Sequence, residues 1–393
     1  IRDGQVKNLT SLTLNHCINC RVLSLGQLSR LQSLSLKGNH ELEEWIDAPY
    51  HFLHSLNISN CPKHRDQPKL FLNIGALQIK KCNSLKALPL IPSVMFLKLM
   101  HNLVLEDFNE HTVILGSVNN HGQPVHVRQP SFIKLLELKV IDCPKLPCLP
   151  EVFAPQKLEV SGCPLLTKLP TPEFSQRLQH LAIDACDDPT LVRAIPDTGS
   201  LYSLVISNIS NLTSFPKWPH LPGLKTLYIS RCNDLTSLSD ETAASVPFEG
   251  MTSLELLSVR GCPNLVRFPD KELPATLKCL IISSNSGLTS LGPEEAFQNL
   301  TSLTDVNIEN CPELHSLPAE GFSASLRHLL IEGCPELIKE CQNVSGADWP
   351  NIQGIPDLEI EPLQVLANQN PQNPPAAWYH CLICCKGWYS IFM

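Results

Sequence analysis

Ten of the seventeen cysteines in this 393-residue chain occupy one position of a repeating apolar pattern. The pattern reads L-x-x-L-x-[ILV]-x-x-[C/N]-x-x-L-x-x-L-P, and its clearest copy is Leu303, Val306, Ile308, Cys311, Leu314, Leu317 and Pro318. Taking the second apolar position as an anchor gives Leu12, Leu34, Leu56, Leu77, Leu97, Leu138, Leu158, Leu181, Leu204, Leu227, Leu257, Leu280, Val306 and Leu329. Five residues beyond these fourteen anchors stands Cys ten times, Asn three times (Asn39, Asn102, Asn285) and Ile once, at Ile209. Chance does not place ten cysteines in one register when only 17 of 393 residues are cysteine.

Most anchors are 20 to 23 residues apart, the period of a leucine-rich repeat. The L-x-L portion is a short strand whose leucines face one way and whose intervening residues face the other. One such strand cannot bury its apolar side alone. Stacked coils bury it together, which predicts an α/β repeat fold: a right-handed horseshoe solenoid with a concave parallel sheet and a mostly irregular, short-helical convex side. The Cys/Asn position follows the strand, where an Asn amide can satisfy turn backbone groups and a thiol is a small, buriable substitute with a weak donor. Pro follows Cys in six of the ten Cys copies, as at Cys143-Pro144 and Cys262-Pro263, and having no N–H it helps end strand pairing.

A solenoid core grows lengthwise, so 393 residues need not divide into compact domains. The net charge of -8 is spread along the chain and gives no global signal for nucleic acid. No run of eighteen apolar residues suggests a membrane helix. Ladder cysteines that serve packing call for free thiols, which suits an intracellular, cytoplasmic protein. Six N-x-[S/T] sequons, at Asn8, Asn57, Asn208, Asn211, Asn299 and Asn343, follow from a motif that places Asn beside Leu or Ile. The chain begins at Ile1 and enters its first repeat without a polar cap, as expected where an N-terminal neighbour precedes the solenoid.

The expected organisation is a repeat domain over 1–361 and a Pro/Asn/Gln linker with a Cys- and aromatic-rich tail, disordered, over 362–393. Leu97 and Leu138 are 41 residues apart, so 103–131 holds either a degenerate repeat anchored at Val118 or an excursion loop. Longer spacings add residues at 240–249 and 293–299, the latter with a short helical turn around Glu294 to Phe297. A partial coil over 349–361 closes the array.

No phosphate loop, nucleophile elbow, zinc-binding helix or dinucleotide fingerprint occurs, so catalysis is not indicated and no metal or cofactor is expected in this chain. Function is then expected on the concave face. One step after each anchor lie Thr13, Ser35, Asn57, Gln78, Lys98, Lys139, Glu159, Ala182, Val205, Tyr228, Ser258, Ile281, Asn307 and Leu330, a continuous column. Three groups stand out: a basic patch of Lys80, Lys81, Lys98 and His101; a Tyr/Arg group of Tyr202, Val205, Tyr228, Arg231 and Arg260; and an acidic end of Asp305, Glu309 and Glu332. Tyr and Arg are enriched among interface hot spots.

The C-P-x-L-x-x-L-P form, at Cys311 to Pro318 and nearly at Cys163 to Pro170, resembles the repeats of plant intracellular nucleotide-binding leucine-rich-repeat disease-resistance proteins, as do I-E-G-C-P-E-L and A-D-W-P-N-I within Leu326 to Leu358. The resemblance implies a repeat domain that senses a pathogen effector or guarded host protein. It also implies a contact with the receptor's own nucleotide-binding domain that holds the switch inactive, with ATP or ADP bound upstream of this chain. Two alternatives stand beside it. F-box ubiquitin-ligase arms also carry Cys here but continue C-x-x-[I/L]-T-D, which only Cys232 to Thr236 approaches. A cell-surface receptor ectodomain would glycosylate Asn57 or Asn208.

Overall fold

The computed structural model describes residues 8–361 except 27, 47–49, 66, 109–131, 151–154, 170–175, 216–217, 239–247, 269–272, 293–296, 298 and 343–345. Fifteen strands form one parallel sheet in chain order. They are β1(Ser11–Asn15), β3(Ser33–Lys37), β5(Ser55–Ser59), β6(Ala76–Lys80), β7(Phe96–Met100), β8(Glu137–Ile141), β9(Lys157–Ser161) and β10(His180–Cys186). The sheet continues with β11(Ser203–Ile209), β12(Thr226–Ser230), β13(Leu256–Arg260), β14(Cys279–Ser283), β15(Asp305–Glu309), β16(His328–Glu332) and β17(Asp357–Glu361). A short second pair, β2(Val22–Leu23) with β4(Glu44–Trp45), runs across the first two coils.

Each anchor pairs with the next: Leu12 with Leu34, Leu34 with Leu56, and on to Leu329 with Leu358. The residue two places on follows the same register, so Ile79 meets Leu99 and Ile308 meets Ile331. Both rows face the core, and from β3 to β16 they are buried. Because parallel strands pair without slippage only when every buried row aligns, the 20- to 23-residue grammar of the sequence fixes the register. β7 pairs directly with β8, and the sheet carries no strand between them. Val118, Glu294 and the tail after Glu361 lie outside the described residues.

The turn after each strand rests on a feature that the apolar pattern does not display. Four residues past every anchor the backbone is left-handed: His16, Gly38, Asn60, Lys81, His101, Asp142, Gly162, Ala185, Asn208, Arg231, Gly261, Ser284, Asn310 and Gly333 all have φ between 48° and 65°. Only four are glycine, so ten coils hold an L side chain in a conformation that costs each about 1–2 kcal/mol. The kink swings the next residue inward, and that residue is the Cys or Asn of the ladder, or in one coil Ile209.

The three ladder asparagines each tie their coil to the one before. Asn39 Oδ1 accepts from Cys17 N at 2.8 Å while Nδ2 donates to Leu14 O at 2.9 Å. Asn102 bonds Cys82 N and Ile79 O, and Asn285 bonds Cys262 N and Val259 O, in the same way. The thiols approach the equivalent carbonyls at longer range: Cys61 to Leu36 O, Cys82 to Ile58 O and Cys163 to Val140 O at 3.9 Å, and Cys334 to Ile308 O at 3.8 Å. Cys334 Sγ also accepts from Cys311 N at 3.3 Å. A thiol therefore repeats the asparagine's two contacts in a smaller and weaker form. All fourteen described cysteines are free. Burial pushes the Cys82 and Cys163 thiols up to about 12 and Cys143 and Cys186 up to about 11, which keeps them protonated donors.

Opposite the sheet, aromatic side chains fill the wider back of the coils. Trp45, Tyr50 and Phe71 form one cluster, Phe215, Trp218 and Phe248 a second, and Phe297 with Phe322 a third. Among the described residues helix is sparse: α1(Thr190–Arg193), α2(Pro335–Gln342) and α3(Trp349–Ile352). None of the described helices is long and apolar enough to cross a membrane.

Candidate functional site

The first, third and fifth residues of each strand turn away from the leucine core and make three parallel columns on the concave face. The centre column changes character along its length. Through β8 it carries Thr13, Ser35, Asn57, Gln78, Lys98 and Lys139, all at least partly exposed. From β11 to β16 it carries Val205, Tyr228, Ser258, Ile281, Asn307 and Leu330, in register across six strands. Val205 is 5% exposed, Ile281 3% and Leu330 2%, yet none of them belongs to the leucine core. Packing between neighbouring strands shelters these side chains on the concave side. With strands about 4.8 Å apart, the floor runs for about 24 Å. The sequence signals it where alternation fails, at Leu204-Val205-Ile206, Leu280-Ile281-Ile282 and Leu329-Leu330-Ile331.

The Tyr/Arg group divides among three levels of this face. Val205 and Tyr228 are register neighbours in the floor. Tyr202 precedes β11 and stands on the rim, 43% exposed. There its ring meets His180 edge-on at 5.9 Å and lies 5.6 Å from Lys225 Nζ. Lys225 in turn pairs with Glu255 at 3.2 Å, and Glu255 with Lys278 at 3.1 Å, so the rim continues as an ion ladder. Burial, and then Lys157, pushes the His180 imidazole below its ordinary value. Arg260 ends β13 and its Nε donates to Ser258 Oγ at 3.1 Å, while Arg231 is the left-handed residue past β12. Six residues of extended strand, about 20 Å, separate the level of Tyr202 from that of Arg231. The sequence placed these residues in neighbouring coils but did not resolve their levels.

The basic patch gathers on adjacent coils. Lys80 ends β6 and Lys98 sits at the centre of β7, with Lys81 and His101 in the two left-handed turns. Acids of the following coils answer it: Lys98 Nζ is 3.6 Å from Glu137 and His101 Nδ1 is 2.8 Å from Asp142. Lys139 and Glu159 pair at 2.6 Å beside them, largely buried.

The acidic end is larger than three residues. Glu309, Glu332 and Glu361 align in the fifth-position column of β15, β16 and β17, and Asp305, His328 and Asp357 align in the first. Burial, then Glu309 and Glu361, pushes the Glu332 carboxyl above its usual value. His328, Asp357 and Glu359 bring ligand-type atoms within 4.8 Å of one another, but both carboxylates are exposed and a structural zinc centre takes four ligands. Sequence reasoning missed Asp357, Glu359 and Glu361 because the closing coil lacks the Cys that marks the register.

No family model matches the chain. It is similar to three disease resistance proteins of Arabidopsis thaliana. At4g19050 is 27% identical over 287 residues, 68% of this chain and 23% of that protein. RPS4B is 26% identical over 197 residues, 44% of this chain and 16% of that protein. At3g14460 is 37% identical over 103 residues, 25% of this chain and 7% of that protein. The chain thus spans less than a quarter of the length of each of these relatives. Among solved structures it is similar to TLR13 in a TLR13–ssRNA13 complex, with 16% identity, 80% of this chain and 56% of that chain covered, and a TM-score of 0.41. The LRR ectodomain of the plant membrane receptor kinase GASSHO1/SCHENGEN3 from Arabidopsis thaliana matches at 15% identity over 81% of this chain and 56% of that chain, with a TM-score of 0.19. By its register and ladder the chain is a leucine-rich-repeat solenoid, and its curated relatives are plant disease resistance proteins.

Proposed function

We propose that the chain is the protein-sensing repeat region of a plant intracellular immune receptor. Its concave face recognises a pathogen effector or a guarded host protein, and its contact with the receptor's own nucleotide-binding domain helps keep the receptor inactive in the cytoplasm. The observation that carries the reading is the floor from Val205 to Leu330, a sheltered strip in a chain whose relatives are disease resistance proteins. A floor that sets Val205, Ile281 and Leu330 in one column with Tyr228, with Tyr202 and Arg260 on the same face, carries residue types enriched at interface centres. On this reading the chain performs no catalysis and holds no nucleotide.

Tyr228 tests the proposal. It lies between Val205 and Ser258 in the floor and outside the leucine core, so Tyr228→Ala is expected to leave the fold intact. The variant, in the full-length receptor, is expected to lose the defence response to the recognised protein while keeping its thermal midpoint. A wild-type response from a folded Tyr228→Ala receptor would remove the floor from the recognition surface.

A further inference from the structure

At its C-terminal end the concave face brings together an amide with no partner among the described residues, the apolar side chains Ile281 and Leu330, and a row of carboxylates. Asn307 is 6% exposed and lies in register between Ile281 and Leu330. Its carboxamide makes no hydrogen bond among the described residues, although it offers two donor and two acceptor sites. Asn307 is nearly enclosed while its amide atoms still open onto the face, so they are placed to take a group from outside the chain. A main-chain peptide unit carries one donor and one acceptor and can meet both ends of it. Beside Asn307 runs the carboxylate column Glu309, Glu332 and Glu361. Among the described residues no cation pairs with Glu309 or Glu332, and the one basic side chain on these strands, His328, is taken by Asp357 at 3.1 Å.

We infer that this end of the face is a docking groove for an extended, cationic protein segment, whose backbone pairs with Asn307 and whose Lys or Arg side chains pair with Glu309 and Glu332. The inference rests on the recognition face proposed above and names the chemistry of its partner. The segment runs along the solenoid axis, across the strands. Carboxylates on neighbouring strands stand about 4.8 Å apart, so the three-glutamate column covers about 10 Å. Alternate side chains of an extended segment are about 6.8 Å apart, so basic residues at i and i+2 both reach that column. The floor back to β11 accommodates about seven residues in all, with the side chains facing Ile281 and Leu330 apolar. Phosphate-rich ligands are repelled here.

The test uses the 393-residue chain and a fluorescein-labelled octapeptide of alternating Lys and Leu, read by fluorescence anisotropy at two salt concentrations. Wild type is expected to bind it, more weakly at high salt, and not to bind the Glu/Leu counterpart. Glu309→Gln with Glu332→Gln is expected to weaken binding about tenfold and to flatten the salt dependence. Asn307→Ala is expected to weaken it about fivefold with the salt dependence kept, because that contact is to backbone. Glu313→Gln, in the turn after β15, is expected to change nothing and controls for net charge. Absence of wild-type binding, equal binding of the Glu/Leu peptide, or unchanged binding by the double Gln variant overturns the inference. So does a wild-type dimer in sedimentation that the double variant dissolves, since a second copy is then the occupant. In each of these cases a defence response still lost in Tyr228→Ala keeps the recognition face and removes only the cationic partner.

Discussion

Asparagine 285 is the sharpest probe of how the ladder holds one coil to the next. It is 0% exposed, its Oδ1 accepts from Cys262 N at 2.8 Å, and its Nδ2 donates to Val259 O at 3.0 Å. Asn285→Ala removes both contacts and leaves a fully buried N–H without its acceptor. An unsatisfied buried donor costs about 1–3 kcal/mol and the lost amide–carbonyl bond about 1 more, so the expected destabilisation is about 2–4 kcal/mol. Asn285→Cys is expected to cost about 1 kcal/mol or less, because at Cys334 a thiol already accepts from Cys311 N at 3.3 Å and faces Ile308 O at 3.8 Å. Urea unfolding ranks the variants. Hydrogen exchange at the Cys262 amide localises the loss, which a solenoid with nearest-neighbour energetics confines to adjoining coils. If the Cys variant proves as unstable as the Ala variant, or Ala costs under about 0.5 kcal/mol, then the ladder does not act through these bonds.

Alkaline pH is expected to unfold the chain through the same ladder. Folded ladder thiols at about 12 (Cys82, Cys163) and about 11 (Cys143, Cys186) lie above their ordinary 9.0. Their contribution is therefore complete below pH 9.0 and is lost as pH rises toward the folded values, at about 1.4 kcal/mol per pH unit for each thiol. The urea midpoint should fall between pH 9 and 11, less steeply in Cys82→Asn; a flat profile contradicts the burial argument. At Ala185, where φ is 49°, Ala185→Gly relieves a left-handed alanine and should raise stability by about 1 kcal/mol, measured by thermal midpoint, whereas a fall would deny the strain.

Much of this solenoid was legible because its core is periodic. Anchor and ladder positions recur in sequence, so Leu227 facing Leu257 and Asn102 reaching back to Ile79 follow from counting residues. The left-handed residue escaped that count because the constraint acts on φ and leaves the side chain free. His16, Lys81 and Arg231 share a backbone conformation with Gly38 and nothing in their chemistry. Without that kink, Lys81, His101 and Arg231 read as strand-face residues, whereas the turn carries them past the strand ends.

Recognition surfaces are illegible for a related reason. The core repeats the same interaction, while the concave face is written once, and its meaning depends on which side chains become lateral neighbours. Val205 looks like an apolar residue on an open strand face until strand pairing sets it beside Tyr228 and shelters it. Glu309 looks like a solvated strand residue until Glu332 and Glu361 stack against it from coils 23 and 52 residues further on. The closing strand matters most here, because it alone converts a pair of like charges into a column. Like-charge repulsion within such a column raises the free energy of the unliganded face, and a cationic segment relieves it on binding. The same carboxylates that weaken the end of the solenoid thus favour the partner that would cover it.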